Sequence, residues 1–329
     1  MSSSRVVVTG GCGFIGSHLV DQLVTRGDDV VTFDGVAPST GERRPGTTAR
    51  HIVGDVRDPS GLAQAIQPGV DVVYHMAAVV GVDQYLARPL DVIDINLNGT
   101  RNVLELAARA GARVIVASTS EVFGKNPAVP WKEDGDRVLG PTTADRWAYS
   151  SSKALAEHLT FAFARQHSLA ATVVRYFNVY GPRQRPAYVV SRSIHRALNG
   201  LAPVVYDQGR QSRCFTYVAD AVDGTMLAAA APSAVGEAFN LGSMRESMIN
   251  EVVELVAKLA GSTSTTSVDT AARLGAAYQD LPRRVPDNTK ARTTLGWDCA
   301  TLLEDGLART IEWARANAWW LARADTGAA

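Results

Sequence analysis

Tyr149 and Lys153 lie four residues apart in the run Arg146-Trp147-Ala148-Tyr149-Ser150-Ser151-Ser152-Lys153. On a helix that spacing puts both on one face. A phenol ordinarily ionises near pH ~10, too high for a base at neutral pH. An ammonium group beside it favours the phenolate and brings that value down. A tyrosine so tuned can take a proton from a substrate hydroxyl. An ordinary exposed Tyr and Lys would show the same spacing, so the rest of the chain has to decide. A polar run, Ser118-Thr119-Ser120-Glu121, supplies further groups able to hydrogen-bond or carry protons.

The other cluster with chemical meaning is at the start. The β-branched run Arg5-Val6-Val7-Val8-Thr9 ends in Gly10-Gly11-Cys12-Gly13-Phe14-Ile15-Gly16, where a helical apolar pattern (Phe14, Ile15, Leu19, Leu23, Val24) takes over. Glycines at Gly10, Gly13 and Gly16, or in the register Gly11, Gly13, Gly16, would serve a tight turn, close approach of backbone to a pyrophosphate, and a helix packed hard on a strand. The helix start, with Phe14 and Ile15, offers backbone N–H groups and a positive dipole end to the phosphates. A second strand, Asp29-Val30-Val31-Thr32-Phe33, ends in Asp34, roughly 20 residues past the glycines, where a carboxylate holds adenosine ribose hydroxyls. A dinucleotide site is expected here.

These groups need a scaffold that brings strand ends together. A third strand, His51–Gly54, delivers Asp55-Val56, with Asp55 placed to accept from an adenine amino group; Asp58 before Pro59 reads as a helix cap. Strand Val70–Ala78 ends in the small residues Ala77 and Ala78, which let cofactor backbone pass; His75 within it reads as a packed, hydrogen-bonded histidine. A long helix runs from Pro89 to Ala110. Asn96 inside it is a mediocre helix former, which suits either a hydrogen-bonding role or a surface position. Strand Arg113–Ala117 leads to Ser118–Gly124, and strand Ala171–Tyr176 follows the Tyr149 helix. Alternating strands and helices predict an α/β, doubly wound parallel sheet whose ligands sit beyond the strands' carboxyl ends. Thr119, Ser120 and Glu121 therefore fall at the mouth of the site. After about Asn178 the alternation fails and a smaller lobe begins, although the segment from Cys214 to Leu241 is expected to rejoin the large domain.

Composition narrows the function. The 329 residues balance 33 Lys+Arg against 33 Asp+Glu and are 46% hydrophobic, enough for a sizeable core. No block of one sign suggests nucleic acid or an anionic membrane as partner. No apolar stretch approaches the ~20 residues that span a bilayer, and the lead-in Met1-Ser2-Ser3-Ser4 is too short for a signal peptide. Three scattered cysteines, Cys12, Cys214 and Cys299, suit a reducing cytoplasm. The six histidines lack paired ligand spacing, so no metal is expected.

With Tyr149-x-x-x-Lys153 and the glycines, the chain resembles an extended short-chain dehydrogenase/reductase of the nucleotide-sugar branch. His75-Met76-Ala77-Ala78, Asn96-Leu97-Asn98-Gly99-Thr100, Phe177–Arg183 and Arg284-Val285-Pro286-Asp287 near Leu295-Gly296-Trp297 carry the likeness over nearly the whole length. Within that branch Ser118–Gly124, Arg146–Ser150, Arg213-Cys214-Phe215-Thr216 and Tyr85 before Arg88-Pro89 are most similar to UDP-glucuronate decarboxylases. The sister 4,6-dehydratases usually show Thr-Asp-Glu at Thr119-Ser120-Glu121, and 4-epimerases usually lack the glutamate. Phe123 departs from the family's usual Tyr.

The resemblance implies a Rossmann domain over residues 1–178 plus about 214–242, and a substrate-binding lobe over 179–213 and 243–329. It implies NAD, held by the glycine loop, Phe14, Ile15, Asp34, Asp55, Val56, Ala77, Ala78, Asn96, Tyr149 and Lys153, with Asp34 repelling a 2′-phosphate. It also implies a UDP-sugar substrate and a homodimer through helices 89–110 and 147–166, although apolar residues there could equally be core. Tyr149, assisted by Thr119, Lys153 and the positive nicotinamide ring, would oxidise the sugar at C4. A uronic acid so oxidised is a β-keto acid that loses CO₂ readily. Glu121, Ser120 or a water held by Arg213 would reprotonate C5, and return of hydride would give UDP-xylose, early release the 4-keto-pentose. Arg213 is equally a carboxylate clamp or a diphosphate ligand. Tyr85, Asn178, Arg183 and Arg284 are expected substrate contacts, with Arg283 as fallback. An NDP-hexose 4,6-dehydratase or 4-epimerase, sharing the C4 oxidation, is the alternative.

Overall fold

A computed structural model describes residues 3–37, 48–81, 84, 87–262, 264–269 and 281–325. Six parallel strands in chain order, β1 (Arg5–Thr9), β2 (Asp29–Asp34), β3 (Arg50–Val53), β4 (Val72–His75), β5 (Arg113–Thr119) and β6 (Ala171–Tyr176), are joined at the β6 edge by Ala238–Leu241. Starting from that late strand, the order across the sheet is β6, β5, β4, β1, β2, β3. All neighbours pair in parallel, so both faces are covered by helices, as the continuous β-branched runs require. Val6 and Val8 face one core layer with Tyr74, Ile115 and Val174. Val7 faces the other with Val73, Val114 and Val173. Each fully buried valine contributes on the order of 1.5–3 kcal/mol. The expected doubly wound sheet is present, and Ala238–Leu241 pairs with β6 at its edge.

Two expectations shift. The strand expected over Val70–Ala78 is confined to Val72–His75, although Asp71 N and Met76 N on its flanks still donate to Arg5 O and Thr9 O of β1. The single helix expected over Pro89–Ala110 is an α-helix Pro89–Asp94, a π turn Ile95–Gly99, and an α-helix Thr100–Ala110. The π turn accommodates a close contact: a Cβ on Gly99 would sit 2.5 Å from Val56 Cγ2. Thr100 Oγ1 donates to Asn96 O at 2.6 Å, a back-bond of the kind that bends helices.

The chain between β6 and the C-terminus adds a three-stranded sheet in which Ser212–Cys214 lies between Glu246–Met248 and Arg283–Arg284. Helices Val189–Leu198 and Ile249–Ala260 pack against one another beside it. Among the described residues no helix is long and apolar enough to cross a membrane, and no group of three His, Cys, Asp or Glu side chains could hold a metal.

Candidate active site

The first turn is built as the glycines demand. Gly10 has φ +70°, and a Cβ there would lie 2.6 Å from the Ala77 nitrogen. A Cβ on Gly16 would lie 2.1 Å from Gly10 O, so only glycine lets helix Phe14–Arg26 start this close to β1. Gly13 is the N-cap and no side chain caps the helix, which leaves its first-turn N–H groups oriented toward a ligand position. Asp34 ends β2 and points back to this loop, its Oδ2 accepting from Cys12 N at 2.9 Å. Glycine turn, bare helix start and carboxylate together fit the pyrophosphate and ribose of a dinucleotide.

The other expected cofactor contacts divide. Ala77 and Ala78 lie beyond β4, with Ala77 against Gly10. Asp55 is gripped by Arg57, whose Nη2 donates to Oδ2 at 2.6 Å, and that hydrogen bond holds its carboxyl below the usual range. Val56 is buried in the core layer under Gly99. Asn96 is fully buried: its Oδ1 accepts from Val79 N at 3.2 Å and its Nδ2 donates to Ser152 Oγ at 3.1 Å. Ser152 Oγ in turn donates to Tyr149 O at 2.9 Å. Asn96 thus braces the helix that carries Tyr149, and its side-chain amide is already engaged by protein.

That helix, Arg146–His167, lies along β5. One helical turn separates Tyr149 from Lys153, and Thr119 is two positions along the strand from Ala117, so the two pairs are in step. Tyr149 shares a side-chain hydrogen bond with Thr119, and Lys153 Nζ donates to Ala117 O at 2.9 Å. Both side chains are buried at the carboxyl end of the sheet. Burial, then the charge of Glu121, push the phenol above its ordinary value; Thr119 and Arg284 pull it down. The expected lowering by Lys153 is not what this arrangement produces. Burial brings the lysine itself down to about 8, against the carboxylate of Glu157. His75 is the packed residue its context predicts, bonded to Thr9 and Thr100 and held at about 3 by burial and then by Lys153.

Glu121 opens onto the lobe. Its Oε2 accepts from Arg146 Nη1 at 2.5 Å and its Oε1 from Arg284 Nη1 at 3.1 Å. Burial opposes its ionisation most, yet the two guanidiniums outweigh that and hold it at about 2. It is therefore a carboxylate here, not a proton donor. Ser120 is buried next to it. Arg213 is in register with Arg284 on the adjacent strand, both buried, and its Nη1 donates to Ser212 O. Arg283 points the other way, half-exposed and paired with Glu246, and drops out as a fallback. Asn178 has left-handed backbone, φ +38°, and its Nδ2 reaches Cys214 O at 3.4 Å. Arg183 is not turned toward this cluster: it pairs with Asp21 at 2.6 Å, fastening the chain after β6 to helix Phe14–Arg26. Tyr85 lies outside the described residues.

Two residues that sequence reasoning did not single out belong to the site. Arg146 stands three before Tyr149, a spacing that shares its helical face. Tyr188, whose hydroxyl donates to Val80 O at 3.4 Å, lies close enough to raise the Tyr149 phenol; no local motif marks it.

Sheet order, glycine turn and the Thr119–Tyr149–Lys153 arrangement define a dinucleotide-dependent oxidoreductase scaffold of the short-chain type. Residues 6–242 match the NAD dependent epimerase/dehydratase family, and the chain belongs to that family. It is 38% identical over 317 residues to a UDP-N-acetyl-alpha-D-glucosaminuronate decarboxylase of Bacillus cytotoxicus, covering 94% of this chain and 98% of that one. It is 36% identical over 316 residues to UDP-glucuronic acid decarboxylase 1 of Xenopus tropicalis, covering 94% and 72%. Among solved structures, a dTDP-glucose 4,6-dehydratase of Streptomyces venezuelae with NAD bound superposes with a TM-score of 0.85 at 30% identity, covering 96% and 98%.

Proposed function

We propose that this enzyme is an NAD-dependent decarboxylase of UDP-linked uronic acids, with UDP-glucuronate as substrate. The observation that carries the reading is the pair of buried guanidiniums, Arg146 and Arg284, fixed on Glu121 beside the Tyr149–Thr119 hydrogen bond, with Arg213 in register alongside. Guanidiniums recognise carboxylate and phosphate bidentately, and a UDP-uronic acid carries both. Likeness to two uronate decarboxylases supports the same substrate class.

The glycine loop, Asp34, Ala77, Ala78, Tyr149 and Lys153 hold NAD, which when bound supplies the acceptor for hydride from sugar C4. Tyr149 takes the C4 hydroxyl proton while Thr119 holds the same oxygen. Because burial and Glu121 raise the phenol, its ionisation draws on the positive nicotinamide ring together with Thr119 and Arg284, which pull it down. Arg284 and Arg213 hold the C5 carboxylate until the bond to C5 breaks and CO₂ leaves. The electron pair then rests on the C4 oxygen, where Tyr149 and Thr119 stabilise it. Ionised Glu121 does not deliver the C5 proton; Ser120 or a water ordered by Arg213 does. Return of hydride gives UDP-xylose.

A second reading has its own support: the Bacillus cytotoxicus relative is named for a 2-acetamido uronate, so UDP-N-acetylglucosaminuronate is the competing substrate. Purified protein with NAD⁺ is offered each uronate and dTDP-glucose. CO₂ and a UDP-pentose from glucuronate support the proposal. Turnover of the acetamido sugar alone moves the assignment there, and a 4-keto-6-deoxy sugar or an epimer refutes it. A homodimer and a cytoplasmic location complete the reading: Leu90, Ile93 and Leu155 expose apolar surface on neighbouring helices, and Cys12, Cys214 and Cys299 form no disulfide among the described residues.

A further inference from the structure

Glu121 is held from two sides that belong to different parts of the molecule. Arg146 opens the helix lying against the turn that carries Glu121, and the two meet at 2.5 Å. Arg284 reaches across from the lobe sheet, and its contact is longer, 3.1 Å. Arg146 is itself buried, its guanidinium carbon 5.4 Å from the Trp147 ring centroid, so its geometry is fixed by packing. Were Arg284 the sole partner of Glu121, giving that guanidinium to a substrate carboxylate would strand a buried anion, or Glu121 would follow it into the sugar site. With Arg146 in place neither happens.

We infer that Arg146 is a positioning residue, which anchors the Glu121 carboxylate on the large-domain side so that Arg284 can turn to the carboxylate of the sugar substrate. This rests on the uronate reading above. Arg146 and Tyr149 from the helix and Arg284 from the lobe are the ionisable groups facing Glu121, with Tyr188 behind Tyr149. Removal of Arg146 leaves Glu121 competing with substrate for Arg284, and less firmly ionised. The charge of Arg146 therefore shows in substrate KM and in how that KM changes as Glu121 is protonated, not only in folding.

The test uses the full chain with NAD⁺ and UDP-glucuronate, comparing wild type with Arg146→Gln, Arg146→Lys, Glu121→Gln and the Arg146→Gln/Glu121→Gln double variant. Expected are a KM raised by about tenfold or more in Arg146→Gln, and a rise that shrinks toward acid pH, because protonated Glu121 no longer competes for Arg284. Arg146→Lys restores most of the KM, NAD⁺ affinity is unchanged, and the double variant is no worse than Glu121→Gln alone. An unmoved KM, a KM rise that does not shrink toward acid pH, or losses that multiply in the double variant overturn the inference. Should Arg146→Gln fail to fold, Arg146→Lys and the double variant, which lacks the stranded anion, decide. A wild type that turns over only neutral NDP-hexoses removes the substrate carboxylate and overturns the functional reading, and the inference with it; an active uronate decarboxylase indifferent to Arg146 overturns the inference alone.

Discussion

Glu121 and Tyr149 are electrostatically opposed: the carboxylate stands ionised at about 2 between two arginines, and after burial its charge is the largest influence raising the phenol. A site that needs a phenolate has placed an anion beside it. The opposition makes the ionisation of Tyr149 depend on what binds, because the cationic nicotinamide and a substrate drawing on Arg284 both alter the field the phenol feels.

Tyr149→Phe keeps the ring and its packing but removes the proton acceptor. NADH formation from a nucleotide sugar should fall by about 10²–10⁴-fold, with NAD⁺ affinity within about twofold of wild type. Single-turnover absorbance of reduced cofactor and titration calorimetry separate the two; retained turnover removes Tyr149 from the role of base.

Much of this was legible before any coordinates. Gly10, Gly13, Gly16 and Asp34 could be read because each answers a local demand, a turn, an approach or a hydrogen bond, that a short stretch expresses by itself. Tyr149 and Lys153 were legible through helical spacing. What escaped depends on pairing between distant segments: Glu121 with Arg284 spans 163 residues, and Arg183 with Asp21 spans 162, and nothing local says which arginine meets which carboxylate. The sign of the Tyr149 shift escaped for the same reason, since burial and Glu121 are tertiary facts. Asn96 was half-legible: its awkward place in a helix suited a hydrogen-bonding role or a surface position, and nothing local pointed to Val79 and Ser152 as its partners.

His75 gives stability a pH dependence that can be isolated. Its folded value is about 3 against 6.5 unfolded, so between those limits the unfolded chain binds more protons and stability falls as pH drops. Glu121, at about 2 against 4.5, adds its own loss only below about 4.5. Between pH 6.5 and 4.5 wild type should therefore lose up to about 1.4 kcal/mol per pH unit more than His75→Gln. Urea denaturation at half-unit steps measures both slopes, and parallel curves would show that His75 is charged in the native state.

Asn96→Ala removes the buried acceptor of the Val79 N–H and the donor to Ser152 Oγ, at a cost of about 1–3 kcal/mol. Because Ser152 Oγ holds the Tyr149 carbonyl, kcat should fall more than NAD⁺ affinity. Thermal denaturation gives the first effect and steady-state kinetics the second. A variant that loses stability while keeping kcat would confine Asn96 to holding the fold.

Asp34 is proposed to set the choice of cofactor. Its carboxylate is fixed by the Cys12 and Val36 N–H groups at 2.9 and 3.2 Å, so its charge stays at the end of β2, where an adenosine 2′-phosphate would have to lie. Two like charges about 4 Å apart repel by roughly 4 kcal/mol near a protein surface, and the ribose hydroxyls lose their acceptor if the carboxylate goes. Asp34→Asn keeps the shape and one acceptor oxygen while removing the charge. It should weaken NAD⁺ by about tenfold and strengthen NADP⁺ relative to it by at least as much. Competition of the two cofactors in fluorescence titrations reads the ratio directly; an unchanged ratio would mean that selectivity resides in the loop after β2 and not in this carboxylate.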